Sequence, residues 1–318
     1  MISTEDMTKA ARTLSAAARD IGRPEESLPE LALRLGLPAE VVEDPAALVL
    51  PLSRPHADPL AQAVEFRRVA DVLRGALGEA GFLGAHGHTR PPGRRADPRW
   101  GRPFLRWRHG DTTLELRAGA VGPELVLEPS ATWETWYQSV GTGFTGTWEH
   151  SGLAVDQPRH EGPGDWDDLH LTLASFLRTL PAETHALGIA HSLPLYGRIA
   201  GAGAPLLFVL TSGSRLHLDF TEHQVAEAAR GERAAALGWT SRESLPPGHL
   251  DEDLDGDAPW RVDAGGPGEV DPGAAADLLV RTARAAGVAR ATDLILGGEA
   301  EYRHPYRFAF PSLSLPVG

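Results

Sequence analysis

The chain has 318 residues, of which 42% are hydrophobic and 23% are charged, which suits two or three folded domains and argues against wholesale disorder. Its formal net charge of −13 is opposite in sign to the basic surface that drives binding to nucleic-acid phosphates. Cysteine is absent and Lys9 is the only lysine, which excludes disulfides, thiol nucleophiles, cysteine zinc sites and the lysine chemistry of Schiff-base enzymes, P-loops and kinases.

The sequence has no pattern typical of a membrane or secreted protein. No run of 18 apolar residues occurs, so no membrane-spanning helix is expected. Residues 1–6 are acidic and lack the apolar segment of a signal peptide. We therefore expect a cytoplasmic protein that does not bind a membrane.

Residues 1–50 are predicted to form a short N-terminal helical segment. The run 31–42 resembles the first half of a helix-turn-helix motif, with Gly36 at the turn and a second helix over 39–44. That second helix has no arginine to read bases, so a small helical cap is favoured over a DNA-binding motif. Prolines at 51, 55 and 59 indicate a linker.

A first module is predicted over 58–140. Asp58 and Pro59 suit the N-cap and the first position of a helix, whose apolar spacing runs to Gly81. After a loop rich in proline, glycine and arginine, the runs 113–117 and 124–128 predict a β-hairpin. Residues 141–164 indicate a connection between domains.

The same order, a helix followed by a β-hairpin, recurs over 165–221. Asp165 caps a helix that we expect to end at Pro181, and the runs 206–210 and 215–220 predict a second hairpin. Strands grouped with helices at their ends predict an α+β fold, built as repeated helix plus antiparallel-sheet modules in two-layer sandwiches.

The C-terminal region, 222–318, is predicted to begin with a helix that Gly238 ends. An acidic loop over 249–271 follows, and then a helix from Asp271 to Gly287. The runs 293–296 and 308–310 suggest two further strands.

Two short motifs are weak matches to ligand-binding loops. Residues 141–146 fit G-x-G-x-x-G but lack the flanking strand and helix that a dinucleotide loop needs. The calcium-loop start D-x-D-x-D-G at 251–256 reaches Val262 where a bidentate glutamate is required. We therefore predict no cofactor and no metal site.

Two histidine-containing pairs leave an enzymatic alternative open. His86 with His88, and His217 with Asp219, are each spaced to face one side of a strand. If the two pairs met, they would suit a metal-dependent or His/Asp hydrolase. Neither a G-x-S-x-G nor an H-E-x-x-H motif occurs, and we predict no catalytic residues.

A basic stretch over 90–108 interleaves arginines with aromatic residues. Such stretches bind single-stranded nucleic acid, although an acidic protein surface, or the acidic C-terminal region of this chain, would suit these arginines equally. On a strand, Arg106 and Arg108 would form a normal solvent face opposite Leu105 and Trp107. A second aromatic group at 133–137 is either core or an interface hot spot. The predicted interaction surface comprises Arg94, Arg95, Arg99, Trp100, Arg102, Trp107, Trp133, Trp136 and Tyr137.

The last third of the chain carries a family resemblance. Residues 234–239 read Ala-Ala-Ala-Leu-Gly-Trp, and a variable loop then precedes an alanine-rich helix over 271–287 that ends in Gly-Val. This pattern resembles the YbjN and type III secretion chaperone-like proteins of actinobacteria, the Tir chaperone-like or TY-Chap group. The resemblance covers about 165–296. It implies an α/β sandwich per domain, no catalytic residues, and a sheet and helix face that binds another protein.

From these observations we predict a non-enzymatic, chaperone-like or adaptor protein that binds a protein client. A second copy of the chain is left open as a further partner, and nucleic acid is the least favoured one. The alternatives are a metal-dependent or His/Asp hydrolase, and a nucleic-acid binder that uses Arg90–Arg108.

Overall fold

The computed structural model confirms the predicted α+β class, with helices and two antiparallel sheets. It describes residues 2–20, 28–43, 46–54, 58–86, 100–120, 122–132, 134, 145–148, 163–201, 206–221, 233–244, 259–298, 302–303, 306–310, 313 and 315–318. The chain divides into two compact units. The first unit comprises Met1–Pro158, His185–Gly188 and His304–Ser312, and the second comprises Arg159–Thr184, Ile189–Arg303 and Leu313–Gly318.

The first sheet contains strands from both ends of the chain. The helices of this part are α1 (Thr4–Asp20), α2 (Leu28–Leu35) and α3 (Pro59–Leu77). The strands are β1 (Glu40–Glu43), β2 (Ala46–Pro51), β3 (Phe82–Ala85), β4 (Pro103–His109), β5 (Thr112–Ala118), β6 (Pro123–Pro129), β7 (Thr145–Trp148), β14 (Tyr302–Arg303) and β15 (Tyr306–Ala309). Their order across the sheet is β1-β2-β6-β5-β4-β3-β7-β15-β14.

One face of this sheet packs against α1 and α3. Alternating residues of each strand point to the same side, and the register places Trp107 opposite Leu114 and Leu114 opposite Leu127. All three are buried. The indole Nε1 of Trp107 donates to the carbonyl of Gly78 at the end of α3, at 2.9 Å. These residues form the core that holds the helices on the sheet.

The second sheet belongs to the second unit. The helices of this part of the chain are α4 (Trp166–Leu187), whose last residues belong to the first unit, and α5 (Pro272–Ala286). Its strands are β8 (His191–Gly197), β9 (Leu206–Ser212), β10 (Leu216–Thr221), β11 (Thr240–Ser241), β12 (Trp260–Gly265) and β13 (Leu294–Leu296). They follow the order β11-β12-β10-β9-β8-β13. The predicted hairpin is confirmed as β9 and β10, with Leu210 opposite Leu218.

An aromatic cluster joins this sheet to α5. The rings of Phe208, Phe220 and Trp239 lie with centroids 5.2–6.2 Å apart. Trp239 Nε1 donates to Thr282 Oγ1 on α5 at 2.9 Å. Gly238 has a φ of +110°, a conformation that glycine adopts more readily than other residues. The Leu-Gly-Trp turn therefore aims the indole into the core.

Aspartates cap the helices where the sequence places them. Asp58 accepts a hydrogen bond from the Ala61 amide at the start of α3, and Asp271 accepts one from the Ala274 amide at the start of α5. Asp165 accepts from the amides of residues 167 and 168 before α4. Each carboxylate satisfies an amide that has no partner within its helix.

The helix-turn-helix interpretation is wrong. Its second helix is strand β1, which pairs antiparallel with β2. The β-branched Val41 and Val42 favour a strand, and Val42 packs against a buried cluster. That cluster consists of Ala47, Val49 and Val126.

Two helix ends also differ from the predictions. Helix α3 ends at Leu77 with Gly78 as its C-cap, rather than at Gly81. Helix α4 continues through Pro181 to Leu187, although proline removes a helical hydrogen bond. The residues after Pro181 include the buried Ala186 and Leu187, so burial outweighs the lost bond.

The acidic loop predicted over 249–271 contains strand β12. The calcium-loop residues 251–256 lie outside the described residues, as do 141–144 of the glycine motif and 222–232 of the predicted helix. Residues 233–237 are helical. The predicted strands near 293–296 and 308–310 are confirmed as β13 and β15.

The two units differ from the predicted domains 1–50, 58–140, 165–221 and 222–318. Strand β2 pairs with β6, so the N-terminal segment shares a sheet with the first module. Strands β12 and β13 pair with β10 and β8, so most of the C-terminal region completes the second module. These pairings join residues far apart in sequence, and hydrophobic periodicity reports only local structure.

Candidate functional site

Two members of the predicted interaction surface lie in the core. Trp100 and Trp107 are 6% and 5% exposed, so the prediction that they form an exposed surface is wrong. Arg102 is partly buried and its carbonyl accepts from the His86 amide at 3.1 Å. The remaining predicted members lie outside the described residues: Arg94, Arg95, Arg99, Trp133, Trp136 and Tyr137.

Arg106 is fully buried, which corrects its predicted place on a solvent face. Its guanidinium donates to the Glu115 carboxylate, which is also fully buried and lies directly opposite on β5. Arg106 Nη2 lies 3.1 Å from His86 Nε2, and its guanidinium stacks on the Phe104 ring at 3.8 Å. The half-exposed Arg108 pairs with Glu134 at 2.7 Å. Both arginines of β4 therefore serve structural pairs in the first unit.

The second sheet presents a polar row on the face opposite its aromatic core. Ser192, Thr211, His217 and Asp263 are register neighbours on β8, β9, β10 and β12. The hydroxyl oxygens of Ser192 and Thr211 lie 3.3 Å apart. A bulge in the pairing at Leu216 and His217 places Asp263 opposite His217. We call these four residues the polar row.

A buried ion pair flanks the polar row. Arg261 Nε and Nη2 donate to the two oxygens of Asp219 at 2.8 and 2.9 Å. Both residues are buried and lie opposite each other on β12 and β10. Asp219 was predicted to share one side of a strand with His217 and it does so, but its carboxylate is held by Arg261.

The charge state of the polar row follows from its surroundings. Burial is the main reason that the pKa of His217 lies below its ordinary value, and the nearby Asp263 carboxylate opposes that shift. Burial raises the pKa of Asp263, but hydrogen bonds from Arg215 and the Gly265 amide outweigh it and hold the pKa below its usual range. At neutral pH the row therefore contains a neutral imidazole beside a carboxylate.

The register places hydroxyl, imidazole and carboxylate side chains next to one another on adjacent strands, but His217 Nδ1 is buried and accepts or donates no hydrogen bond within the described residues. Sequence reasoning found His217 but missed Ser192, Thr211 and Asp263. Ser192 lies on the side of β8 opposite the buried Leu193 and Leu195, and this alternation is a usable signal. Asp263 lies in the segment predicted as a loop, so no signal placed it on a strand.

The two predicted histidine pairs belong to different units. His86 lies in the first unit, His217 and Asp219 lie in the second, and His88 is outside the described residues. Among the residues that the structure describes, no group of three or more histidine, aspartate or glutamate side chains is arranged to hold a metal ion. Within the same ranges, no helix is both long and apolar enough to cross a membrane.

Helix surfaces of both units carry exposed apolar side chains. On α3, Leu60 and Val64 are 46% and 50% exposed and lie one helical turn apart, so they form one continuous patch. We call these two residues the α3 patch. On α4, Leu171 is 66% exposed.

No protein-family model matches the chain, and no match is found among curated proteins or among solved structures.

Proposed function

We propose that the protein is a non-enzymatic, chaperone-like or adaptor protein that binds a protein client through the α3 patch. The observation that carries this proposal is the pair of half-exposed apolar side chains one turn apart on α3. Removing apolar surface from water is the main favourable term in protein association, and clustered exposed apolar groups mark interaction sites more often than isolated ones.

The pairing of charged groups supports the same function. Arg106 with Glu115, and Arg261 with Asp219, are consumed in buried ion pairs, so these groups hold the sheets together rather than reach a substrate. The Leu-Gly-Trp turn also packs against the alanine-rich helix α5. This packing is consistent with the TY-Chap resemblance and supports a protein-binding role.

Site-specific crosslinking tests the proposal. A photo-crosslinking amino acid at position 64 is expected to capture a discrete protein in the producing cells, whereas the same group at the isolated position 171 is not. The captured protein is identified by mass spectrometry and purified. Its Kd for the wild-type chain is then measured by calorimetry.

The matched variants are Leu60→Gln with Val64→Gln, and Leu171→Gln as control. Glutamine keeps good helix propensity but removes the apolar contact. Burying the remaining half of each side chain contributes about 1 kcal/mol, so the double variant should weaken binding about 30-fold. An equal Kd for the double variant and the wild type, or no adduct specific to position 64, contradicts the proposal.

The polar row supports a second candidate function, a hydrolase. In it, the His217 imidazole takes the proton of the Thr211 hydroxyl, the role of a base beside a nucleophile in acyl transfer, while the Asp263 carboxylate is held by Arg215 and the Gly265 amide. We expect slow hydrolysis of p-nitrophenyl acetate that Thr211→Val and His217→Asn both abolish. Turnover that neither variant changes excludes this candidate.

A further inference from the structure

Strand β13 is the last strand in the order of the second sheet. Its free side is covered by a short segment at residues 316–318. On one side, β13 pairs antiparallel with β8, with Ile295 opposite Tyr196. On the other side, residues 316–318 lie parallel to it, and Leu296 forms a β-bridge with Val317. We call residues 315–318 the edge segment.

The backbone bonds of the edge segment are those of a parallel strand. The Leu296 amide donates to the Pro316 carbonyl at 2.8 Å, and the Gly318 amide donates to the Leu296 carbonyl at 2.9 Å. The Gly298 amide donates to the Gly318 carbonyl at 3.1 Å. Three backbone hydrogen bonds therefore attach the segment to the strand edge.

The side chains of the edge segment contribute little to this attachment. Val317 is 52% exposed, and its neighbours on both sides are also exposed. Leu313, just before the segment, is fully buried and anchors the chain nearby. A segment that buries little apolar surface is held mainly by backbone bonds, each of which contributes only modestly in water, so another extended peptide can exchange with it.

We propose that the outer edge of β13 accepts an extended peptide segment of a protein client, which adds in parallel and displaces the edge segment. This inference rests on the proposed protein-binding function. Adding a strand to an exposed sheet edge is a general mode of peptide recognition, in which main-chain bonds supply the affinity. The Pro-Val-Gly run at residues 316–318 is an example of an extended apolar segment that this edge binds.

The same contacts predict a preference for glycine at one position of the peptide. A Cβ atom built on Gly318 would lie 2.5 Å from Ile295 Cδ1, so a larger residue there forces the Ile295 side chain to shift. Because Cδ1 is the free end of a flexible side chain, we expect the preference for glycine to be modest and small residues such as alanine to bind as well.

The test uses the chain's own peptide as the probe. Two proteins are prepared: a chain that lacks residues 315–318 and so has an open edge, and a full-length Gly318→Pro variant in which the edge segment loses one of its three bonds. The synthetic peptide Ser-Leu-Pro-Val-Gly, amidated at its C-terminus, is titrated to millimolar concentration. The amide signals of Leu296 and Gly298 are followed by NMR.

The truncated chain should bind the peptide, with shifts that saturate at Leu296 and Gly298, and the Gly318→Pro variant should bind it with an affinity between those of the truncated chain and the wild type. The full-length wild type should bind at least 10-fold more weakly than the truncated chain, because its tethered segment competes at a high effective concentration. A peptide with N-methylglycine at the last position loses one donor and should bind about 5-fold more weakly.

Equal binding by the wild type and the truncated chain, or equal binding of the N-methylated peptide, overturns the inference. The absence of peptide-dependent shifts in the truncated chain also overturns it. None of these outcomes affects the crosslinking test at position 64, so failure of the edge and failure of the proposed function are distinguishable.

Discussion

Among the described residues, both units have a fully or nearly fully buried arginine–carboxylate pair between residues that face each other across two strands. Arg106 faces Glu115 on β4 and β5, and Arg261 faces Asp219 on β12 and β10. A slip of one residue in either pairing would move the partners to opposite faces of the sheet. A lone buried charge is costly, so these pairs disfavour slipped registers.

Removing one partner of such a pair should destabilise the protein strongly. Arg261→Met leaves the Asp219 carboxylate buried without its guanidinium, and we expect a loss of about 3–5 kcal/mol in the free energy of unfolding. Urea denaturation followed by circular dichroism measures this loss. The control is Arg290→Met, whose ion pair with Asp293 is exposed and should change stability by less than about 1 kcal/mol. Similar losses in the two variants contradict the prediction.

His109 should make stability depend on pH. Burial, assisted by the charge of Arg19, holds the pKa of His109 below its ordinary value, and its Nε2 lies 3.1 Å from Ser15 Oγ on α1. Because the folded pKa lies below the unfolded one, protonation favours unfolding. Stability is therefore fully present above the unfolded pKa of about 6.5 and falls as the pH drops toward the folded pKa.

Denaturation curves between pH 8 and pH 5 (about the range in which histidine titrates) test this dependence. The His109→Gln variant should lose less stability over that range than the wild type. A variant with the same pH slope as the wild type would show that other groups cause the dependence.

Signals for the start of a helix are reliable in this sequence, because they act through the backbone of the first turn. The Asp-Pro pairs at 58–59 and 271–272 start α3 and α5 as predicted, because a cap and a fixed φ act within one turn. The end predicted at Pro181 and the helix predicted over 39–44 are wrong. Both depend on burial and strand pairing with residues far away in sequence.

Helix caps supply a test at this scale. Asp58→Ala and Asp271→Ala should each destabilise by about 1 kcal/mol, because each removes the acceptor of one helix amide. The Asp→Asn variants keep an acceptor and should lose only a few tenths of that. Chemical denaturation of the four variants measures the difference. Equal losses for alanine and asparagine would show that the capping bond contributes nothing.

The polar row shows why the candidate site was only partly predictable. The spacing of His217 and Asp219 places both on one side of β10 whatever their neighbours are. Their partners Thr211 and Asp263 depend on the register of β9 and β12. One of those registers includes a bulge, which no periodicity in the sequence indicates.

For the whole molecule, the main feature that the sequence did not predict is the division into units. Strand β15 pairs with β7 in the first sheet, although residues 149–305, nearly half of the chain, separate them. Phe308 on β15 is 2% exposed, and the Tyr306 hydroxyl donates to the Ala80 carbonyl at 3.3 Å. Burial raises the pKa of Tyr306 to about 12, so this hydroxyl keeps its proton at neutral pH.

A large-to-small change in β15 should therefore act on the first unit. Phe308→Ala should destabilise it by about 3–5 kcal/mol through the loss of packing. Hydrogen exchange read by mass spectrometry should speed up in peptides from β3 and β7. Peptides from β8, β9 and β10, which have their own core, should keep their exchange rates. Faster exchange confined to the second unit contradicts this assignment.

The pairing of β15 with β7 has a consequence for how the protein is made. Domains usually fold in the order in which the ribosome releases them, at about 5–20 residues per second. Here β7 emerges early, while the strand that covers its edge is made about 150 residues later, a delay of roughly 8–30 s at that speed. During that interval the nascent chain exposes an uncovered strand edge, which is a place where aggregation or a general cellular chaperone can intervene.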